Sequence, residues 1–374
     1  MQDISLVLLA AGSSTRFGLS VKKQWLYQEQ KPLWLSVADN FSDKFNFAEI
    51  IIVASKEEAE YMSQFAEYTY VTGGNSRQAS LKNALEEVKT PFVLVNDIAR
   101  CCIDEEMINR VIAEKENASC VVPVLKAVDT MYLDKQPIDR DKVRIIQTPQ
   151  LSRNDILRRA LDSKDEFTDE SSAIRSLGEK VIFVEGSNKA HKLTTIEDMK
   201  KLSCLRAPSS ETLIGFGIDI HPFEDAKVMK LCGVTIDSPF GFKAHSDGDV
   251  AIHALIDALM GAAGMGDIGE LFPDTNSTYA GADSTILLAD VMRRVHSYGF
   301  IVGNVDMTIL AQTPRLLAYK KDMKNSIAKL LNLPTNRVNI KATTAEKLGF
   351  VGRKEGVTVH AVATLKYFNW MEKI

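Results

Sequence analysis

A cluster of histidines and aspartates is the first feature of this chain that suggests chemistry. The stretch "KAHSDGDVAIHAL", residues 243–255, holds two of the six histidines in 374 residues. Upstream, Asp219 and His221 stand two positions apart near the end of an apolar segment, so strand geometry places both on one face. His253 lies in the first turns of a predicted helix. One carboxylate and two imidazoles with a fourth position open are typical of catalytic zinc, although other divalent ions accept the same donors.

The other polar residues of this stretch have separate interpretations. A single histidine on a helix is more often a packing residue, but the closeness of D-x-H and H-S-D-G-D-x-x-x-H favours a metal site here. His245 precedes the helix and could donate a hydrogen bond to a diphosphate oxygen beside the metal. Asp247 and Asp249 could instead be acids of the first helical turn, which stabilise the helix dipole.

A second candidate site lies near the N-terminus. The segment "LLAAGSSTRFG", residues 8–18, ends an apolar strand in glycine and small hydroxyl residues before Arg16, and Lys22 and Lys23 follow. Small residues let backbone N–H groups approach an anion, and the N-terminus of a following helix adds positive charge. The alternative is a tight strand-to-helix turn with a solvated basic end. The spacing fits neither G-x-G-x-x-G nor a Walker loop.

Asp97 is the acidic residue of interest in the N-terminal half. It stands in "VNDIAR", residues 95–100, at the carboxyl end of a predicted strand, where open α/β sheets bind ligands. It could hold a Mg²⁺ that bridges phosphates, or it could cap the next helix.

Composition restricts the class of protein. Hydrophobic residues make up 45% and charged residues 25%, and the formal net charge is -4, so an anionic ligand requires a local basic pocket. Nucleic-acid and membrane partners are not indicated, and the start of the chain does not resemble a signal peptide. The cysteines lack C-x-x-C spacing and are predicted to be reduced thiols of a cytoplasmic protein. They are Cys101, Cys102, Cys120, Cys204 and Cys232.

The elements that must position these residues fall into two groups. Apolar runs alternate with helical patterns over the first 200 residues, which predicts an α/β domain with a mostly parallel sheet covered on both faces. The runs lie at 5–12, 49–55, 91–97, 119–125 and 181–186. Residues 206–211 are a predicted linker, and 212–374 form a smaller α/β (α+β) unit whose first strand ends at Pro222.

The N-terminal segments, taken in order, resemble 2-C-methyl-D-erythritol 4-phosphate cytidylyltransferase over about residues 3–205. The resemblance rests on "LAAGSSTRFG", "GGNSRQAS", "NDIAR", "DTM", "RIIQTPQ", "TDESSA" and "HKLTT". It implies a Rossmann-like nucleotidyltransferase domain at 1–205, Mg²⁺ as cofactor, and stabilisation of the CTP α-phosphate by Arg16 and Lys23.

The same resemblance implies the substrate contacts. The nucleotide would contact Gly12, Gly74, Ser80 and Asp97, and methylerythritol phosphate would contact Thr130, Arg140, Thr148 and Lys192. The chain departs from the family pattern at Ser13, Ser14, Ile98 and Cys101, and these departures leave the cationic residues untouched.

The C-terminal segments resemble 2-C-methyl-D-erythritol 2,4-cyclodiphosphate synthase over about residues 212–368. The resemblance rests on "IGFGIDIHPF", "AHSDGDVAIHAL", "GDIGELFPDT", "GNVDMTILAQTP" and "KATTAEKLGFVGRKEG". It implies that Asp219, His221 and His253 bind a zinc-type metal and that Glu346 contacts Mg²⁺ or Mn²⁺ on the diphosphate. His245 and Thr344 would stabilise the transition state. Substrate would contact Asp267, Gly269, Ala311, Pro314, Leu317, Phe350 and Arg353.

Together the resemblances predict a bifunctional enzyme of the non-mevalonate isoprenoid pathway, acting on CTP, methylerythritol phosphate and CDP-methylerythritol phosphate. The families also imply synthase trimers and transferase dimers, and hence a hexamer. A kinase step separates the two reactions, and no Walker loop is present. Two alternatives stay open: a nucleotidyltransferase for another sugar phosphate fused to a metal-dependent phosphohydrolase, and a nucleotide-sensing regulator whose metal braces the fold.

Overall fold

The chain forms two compact units. The computed structural model describes residues 2–273, 275 and 281–373, so Asp274 of the segment "GDIGELFPDT" lies outside the described residues. The first unit contains the chain up to Pro208 and again from Asn369, and the second contains Ser209–Phe368.

The first unit contains twelve strands and six α-helices among its described residues. The strands are β1 (Ile4–Leu9), β2 (Tyr27–Gln28), β3 (Lys31–Pro32), β4 (Glu49–Ala54), β5 (Thr69–Thr72), β6 (Phe92–Asp97), β7 (Cys120–Lys126), β8 (Met131–Leu133), β9 (Gln136–Ile138), β10 (Arg144–Ile146), β11 (Gln150–Arg153) and β12 (Val181–Glu185). The helices are α1 (Leu33–Lys44), α2 (Lys56–Met62), α3 (Arg77–Glu87), α4 (Glu105–Ala113), α5 (Asn154–Leu161) and α6 (Glu170–Ser176).

The main sheet of this unit has the order β10-β7-β11-β6-β1-β4-β5, with β12 beside β7. β1 pairs in parallel with β4 and β6, whereas β10 and β11 are antiparallel to their neighbours, so the predicted mostly parallel sheet is confirmed. The strands are rich in Val, Ile and Leu because both faces are buried. The chain winds from β1 to one side through β4 and β5 and then returns to β6 on the other side. Ligands of open α/β sheets bind at such a switch point, and Leu9 and Asp97 end the paired strands there.

The second unit is built on a five-stranded sheet of order β16-β13-β19-β17-β18. Only the β17–β18 pair in this sheet is parallel. The strands are β13 (Thr212–Asp225), β14 (Met229–Leu231), β15 (Val234–Ile236), β16 (Phe240–Phe242), β17 (Phe300–Leu310), β18 (Val338–Thr343) and β19 (Gly356–Tyr367). The helices are α7 (Val250–Ala263), α8 (Ile268–Leu271), α9 (Ser284–Ser297), α10 (Lys320–Leu330) and α11 (Gly349–Gly352).

The prediction that Pro222 ends the first strand of this unit is wrong, because β13 continues to Asp225. The missing N–H of Pro222 does not interrupt the sheet, since Phe223 donates its N–H to Glu355 O on one side. On the other side the carbonyl of Pro222 accepts from Lys243 N. The backbone groups around the proline are therefore paired without a donor from the proline itself.

Two glycines on one face of β13 bring helix α7 close to the sheet. A Cβ at Gly215 would lie 1.9 Å from Ala258 O, and one at Gly217 would lie 2.1 Å from Ala254 O. Because side chains alternate along a strand, Asp219 and His221 share this glycine face and point toward the helix. The "GFGIDIH" pattern therefore sets both the helix–sheet distance and the direction of two candidate metal ligands.

The prediction that all five cysteines are free thiols is wrong for two of them. Cys102 and Cys204 form a disulfide across a sequence separation of 102 residues. Cys101, Cys120 and Cys232 are free and buried. The pairing could not be read from the spacing, because the two residues meet only through the tertiary fold. Among the described residues, no helix is both long and apolar enough to cross a membrane.

The C-terminal end returns to the first unit, although sequence analysis places it with the second. Trp370 is buried, and its indole N–H donates to Tyr27 O at 2.8 Å. The division between the units at Pro208 and Ser209 falls within the predicted linker.

We expect Gly217→Ala to destabilise the second unit, because the new methyl group would displace the backbone of α7 at Ala254. Overpacking of this kind typically costs about 1–3 kcal/mol. Gly261→Ala is the matched control, since Gly261 lies in α7 and a Cβ there would meet nothing within 4 Å. A helical Gly→Ala change at an open position stabilises by about 0.5–1 kcal/mol. Denaturant titration should give a lower unfolding midpoint for Gly217→Ala but not for Gly261→Ala. Equal midpoints would show that a methyl group at Gly217 does not displace α7.

Candidate active sites

The first cleft lies at the switch point of the large sheet and has a volume of about 460 Å³. The loop after β1, the start of α3 and the residues after β6 form its walls. Seven of the predicted site residues line it: Gly12, Arg16, Lys23, Gly74, Ser80, Asp97 and Lys192. Ser13, Ser14 and Ile98, three of the four departures from the family pattern, line it as well.

The cleft carries an excess of positive charge. Among its described lining residues, four cationic side chains face one carboxylate. Burial, together with the nearby charges of Arg16 and Lys192, lowers the pKa of Lys23. The Lys23 ammonium donates to Leu193 O at 3.1 Å, which orients it but supplies no counter-charge. Mutually repelling cations held in a cleft bind a polyanion strongly, because the anion relieves their repulsion.

Asp97 is the acidic group of this cleft and is held between two cations. Its Oδ1 accepts from Arg77 Nε at 3.1 Å, and its Oδ2 accepts from Lys192 Nζ at 2.6 Å. Burial opposes ionisation, but the charges of Arg77 and Lys192 outweigh it and lower the pKa to about 2. Asp97 is therefore a carboxylate throughout the neutral range, as a cation ligand must be. Its alternative as a helix cap is not seen, since Asp104 caps α4.

Sequence reasoning missed two residues that support Asp97. Arg77 also donates to Glu170 Oε1 at 2.6 Å, and Glu170 is fully buried. Burial raises the pKa of Glu170, although the adjacent guanidinium opposes this. The signal was present, because both residues lie inside the quoted segments "GGNSRQAS" and "TDESSA". Their separation of 93 positions hid the pairing.

A buried carboxylate fixes the segment that carries Lys23. Glu58 is 1% exposed and accepts hydrogen bonds from Lys22 Nζ, Gln24 Nε2 and Trp25 Nε1, each at 2.8 Å. Gln24 also donates to Gly12 O at 3.2 Å, which joins this segment to the loop after β1. The lysine is thus positioned by hydrogen bonds to the residues on either side of it.

The loop after β1 differs from its predicted form. A single 3₁₀ turn, Thr15–Phe17, follows it instead of an α-helix, and the α-helix whose first turn lines the cleft is α3. Ser14 adopts the left-handed region at φ 58°, and its hydroxyl accepts the N–H of Lys23 at 3.0 Å. The serine that departs from the family pattern therefore contributes a direct contact to the lysine segment.

Three predicted site residues lie outside this cleft. Thr148 is buried, and its hydroxyl donates to Asn96 Oδ1 and accepts from Asp97 N. Thr130 and Arg140 are exposed beside the β8–β9 hairpin, where Arg140 donates to Val128 O at 2.7 Å.

The second cleft has a volume of about 340 Å³ and is lined by Asp219, His221, His245, His253 and Gly269. Donor atoms of the Asp219, His221 and His253 side chains all lie within 4.8 Å of one another. Asp219 Oδ2 is 3.1 Å from His221 Nε2 and 3.2 Å from His253 Nδ1. The strand β13 and the helix α7, brought together by the glycine contact, thus place the three predicted ligands at one point.

The hydrogen bond behind His221 decides which nitrogen that ring presents. The hydroxyls behind His253, Ser284 Oγ at 3.0 Å and Ser246 Oγ at 3.1 Å from Nε2, are compatible with presentation of its Nδ1. His221 Nδ1–H donates to Gly248 O at 3.1 Å. Ser284 Oγ donates to Asp247 at 2.5 Å and can therefore accept from His253 Nε2–H at 3.0 Å. Each ring then directs its free lone pair toward the Asp219 carboxylate. Such an arrangement is repulsive unless a cation lies among the donors, so the residues fit a divalent metal ion.

Asp249 has a structural role. It is fully buried at the N-cap of α7 and accepts the backbone N–H groups of Cys232, Gly233 and Ile252. Burial raises the pKa of its carboxyl group. Asp249 thus caps α7 and is not an acid of its first turn, whereas Asp247 orients the serine behind His253.

The remaining predicted synthase residues form a separate group. β17 and β18 are parallel neighbours, so the loops that follow them lie side by side, and Ala311 N donates to Thr343 O at 3.0 Å. Thr344 Oγ1 donates to Glu346 Oε1 at 2.6 Å. None of the described residues of this group lines the cleft of the three donors. The group is Ala311, Pro314, Leu317, Thr344, Glu346, Phe350 and Arg353. Asp267 caps the short helix α8, which leads to Gly269.

Comparison with known proteins shows the family to which each unit belongs. The family described as 2-C-methyl-D-erythritol 4-phosphate cytidylyltransferase matches residues 4–204, and the YgbB family matches residues 212–366. A bifunctional enzyme IspD/IspF from a Sulfurovum species is 64% identical over 373 residues, covering 100% of both chains. One from a Nitratiruptor species is 52% identical over 372 residues, again covering 100% of both.

A solved structure extends the match to the fold. The bifunctional IspDF from Campylobacter jejuni aligns with a TM-score of 0.90 and 45% identity, covering 99% of this chain and 100% of that chain. The two units found above are thus the two enzymes joined in these relatives. The chain belongs to the bifunctional IspD/IspF family, with a cytidylyltransferase domain followed by a cyclodiphosphate synthase domain of isoprenoid precursor biosynthesis.

Proposed function

We propose that each cleft carries out one of the two reactions and that the residues named above carry it. The first transfers CMP from CTP to 2-C-methyl-D-erythritol 4-phosphate. The second cyclises 4-CDP-2-C-methyl-D-erythritol 2-phosphate with loss of CMP. The observation that carries the proposal is the presence, in one chain, of a cleft with excess positive charge and a second cleft with an Asp-His-His donor set. Phosphoryl transfer between anions is favoured by charge neutralisation from cationic side chains and from metal ions.

In the first cleft the acceptor phosphate oxygen forms a bond to the CTP α-phosphorus while the bond to pyrophosphate breaks. Arg16 and Lys23 neutralise the charge that develops on the α-phosphate oxygens, since both line the cleft without a carboxylate partner of their own there. Lys192 holds the acceptor phosphate beside them. No protein nucleophile is required, because positioning and charge neutralisation lower the barrier.

Asp97 would hold Mg²⁺ in this cleft. It is ionised at neutral pH, and oxygen ligands of this kind suit that ion. Bound Mg²⁺ supplies neutralisation of the triphosphate charge. Gly12, Gly74 and Ser80 let the chain approach the nucleotide closely, because their side chains are absent or short.

In the second cleft an oxygen of the 2-phosphate attacks the β-phosphorus, and the bond from that phosphorus to CMP breaks. Asp219, His221 and His253 would hold a zinc-type divalent ion, which supplies Lewis acidity toward a phosphate oxygen when bound. His245 lines the same cleft and donates a hydrogen bond to the developing charge. Glu346, on the other group of loops, would hold Mg²⁺ or Mn²⁺ against the diphosphate.

The synthase site is completed by a second subunit in this proposal. The Ala311–Leu317 loop and Glu346 lie outside the cleft of the three donors, and Leu317 is 82% exposed. The β13 face opposite the glycines exposes an apolar row that a single subunit leaves in water. It consists of Ile214 (70% exposed), Phe216 (58%), Ile218 (46%) and Ile220 (50%). Trimers that bury this row would bring the two groups of residues together.

The transferase unit offers a second contact surface. The β8–β9 hairpin exposes Tyr132 and Leu133, and Thr130 and Arg140 flank it outside the cleft. A dimer contact there, combined with the synthase trimers, gives a hexamer. The substrates CTP and sugar phosphates are cytoplasmic metabolites, so we place the enzyme in that compartment.

Substitution of one residue in each cleft tests the assignment. We expect Lys192→Ala to lower pyrophosphate release by about 10²–10³-fold, the usual loss when a charge-stabilising contact is removed. CMP release by the same protein should be unchanged. His253→Ala should give the reverse pattern, so each variant serves as the folding control of the other. Full turnover in the altered half would refute the residue assignment.

The pH dependence of the first reaction follows from Lys23. Because its pKa is lowered in the free enzyme, the ammonium loses its proton as pH rises through that lowered value, and attraction for CTP is lost with it. We expect kcat/KM for CTP to fall at alkaline pH. Lys23→Arg should be less active at neutral pH but lack this alkaline decline, since guanidinium stays charged. An identical alkaline limb in both proteins would assign the decline to another group.

Phe216→Asp tests the trimer. A carboxylate on the apolar row would be desolvated in the interface, so we expect sedimentation velocity to show a smaller assembly with much reduced CMP release. Pyrophosphate release should persist. Ile286→Asp, at a 67% exposed position of α9, introduces the same charge on a different element and is the matched control. An unchanged sedimentation coefficient for Phe216→Asp would exclude the row as an interface.

A further inference from the structure

A cluster of three cysteines lies in the first unit, next to the nucleotide cleft. The sulfur atoms of Cys101, Cys102 and Cys204 lie within 4.8 Å of one another. Cys102 and Cys204 are joined with their Cα atoms 5.4 Å apart, and Cys101 Sγ is 3.9 Å from Cys204 Sγ. Cys101 and Cys102 are buried, whereas Cys204 is only half-buried. Solution reagents therefore reach the cluster through Cys204.

The bond connects two segments that also meet in the cleft. One segment runs from Asp97 at the end of β6 to Cys102, and the other runs from Lys192 to Cys204. Lys192 Nζ contacts Asp97 Oδ2 at 2.6 Å. Behind this ion pair Leu193 N donates to Ala99 O at 2.8 Å. A row of contacts between the two segments thus begins at the cleft with Lys192 and Asp97 and ends at the disulfide.

Other contacts keep the second segment folded whether or not the bond is present. Met199 and Leu202 are each 3% exposed. Asp198 accepts the N–H groups of Thr194 and Thr195. Breaking the disulfide would therefore loosen the two segments relative to each other without unfolding either one.

We propose that Cys102 and Cys204 form a reversible thiol–disulfide site that adjusts nucleotide binding in the transferase cleft. Its reaction partners are low-molecular-weight disulfides and thiols. In the oxidised state the two segments are tied and Lys192 is held against Asp97. In the reduced state the tie is lost, and the ion pair that lines the cleft is less firmly positioned. Disulfides of proteins in reducing compartments are usually transient or redox-sensing, and only seldom structural.

The exchange proceeds in two balanced steps. The Cys204 thiolate attacks one sulfur of an external disulfide, forming a mixed disulfide and releasing one external thiolate. The Cys102 thiolate then displaces the second external thiol and forms the Cys102–Cys204 bond. Two protein thiols are oxidised, one external disulfide is reduced to two thiols, and two protons leave the protein thiols. A dithiol reductant reverses both steps.

Cys101 supplies a matched control, because it belongs to the cluster but not to the bond. Burial raises the pKa of its thiol to about 12, which keeps it protonated and a poor nucleophile. Cys101→Ser should therefore leave the exchange intact. Cys204→Ser removes the half-buried sulfur and abolishes the link between the two segments.

The experiment uses the full-length enzyme treated with glutathione disulfide or with dithiothreitol and then desalted. Differential alkylation with peptide mass spectrometry should detect the Cys102–Cys204 linkage only after oxidation. We expect the KM for CTP to be about fivefold higher in the reduced enzyme, a small coupling between sites. CMP release by the synthase half should be equal in both states and serves as the internal reference. Cys204→Ser should behave as reduced under either treatment, and Cys101→Ser should behave as the unaltered protein.

Two outcomes would overturn the inference: no linked peptide after oxidation, or a linked peptide with an unchanged KM for CTP. The inference rests on the proposed roles of Lys192 and Asp97, and the reduced enzyme tests these separately. If the linkage forms but neither the oxidised nor the reduced enzyme releases pyrophosphate, the transferase assignment is wrong, because the thiol chemistry does not depend on it.

Discussion

Electrostatic repulsion between phosphate groups is the constraint on which both halves of this protein depend. Each reaction brings two anions into contact, so opposite charge must already be fixed where they meet. In the transferase cleft this positive charge is carried by side chains. Four cations face one carboxylate among its described lining residues, and burial together with the charges of Arg16 and Lys192 lowers the pKa of Lys23. We expect a nucleotide triphosphate to stabilise this cleft, because a bound polyanion relieves repulsion between the cations.

Holding those cations in place requires buried anions behind them. Glu170 supports Arg77, Arg77 supports Asp97, and Glu58 fixes the residues on either side of Lys23. A buried ion pair contributes little to net stability, since desolvation offsets most of the attraction. These pairs are better understood as positioning devices, because each one restricts a side chain that faces the cleft.

In the synthase cleft the positive charge would come from a metal ion, for which the side-chain donors are arranged. Its geometry derives from backbone packing, because Gly215 and Gly217 let α7 approach β13 until His253 meets Asp219. The carbonyl of Gly248 then selects the nitrogen that His221 presents, and the Asp247–Ser284 pair is compatible with presentation of Nδ1 by His253. The group of residues around Thr344, which we propose to bind the diphosphate, lies on other loops of the same unit. The proposed trimer would bring the two groups together and would bury the exposed apolar row on β13.

The alternatives considered from sequence are resolved at the level of family. A nucleotide-sensing regulator, or a transferase joined to an unrelated phosphohydrolase, would not match bifunctional IspD/IspF relatives over the whole chain. The two reactions are separated by a kinase step, so their fusion does not by itself pass a product from one cleft to the next. Shared use of cytidine nucleotides is the chemical feature that the halves have in common.

Sequence patterns predicted much of the fold for physical reasons that are local. Apolar runs bounded by polar turns predicted β1, β4, β6, β7 and β12 to within a few residues. Strands buried on both faces, such as β1 and β6, must be apolar. Period-2 alternation placed Asp219 and His221 on one face, and the helical pattern placed His253 on α7. Local pattern gave the wrong end for β13, since the pairing that carries the strand past Pro222 comes from distant residues.

The sequence by itself determined which functional groups are present. The cationic loop after β1, the carboxylate that ends β6 and the three candidate metal ligands all stand in short segments whose residue types indicate their chemistry. Only the tertiary structure decided which groups act together. Arg77 and Glu170 are 93 positions apart, and Cys102 and Cys204 are 102 apart, so no local spacing could reveal either pair. Chain folding brings such residues together through packing of whole elements, and that packing depends on contacts summed over the entire unit.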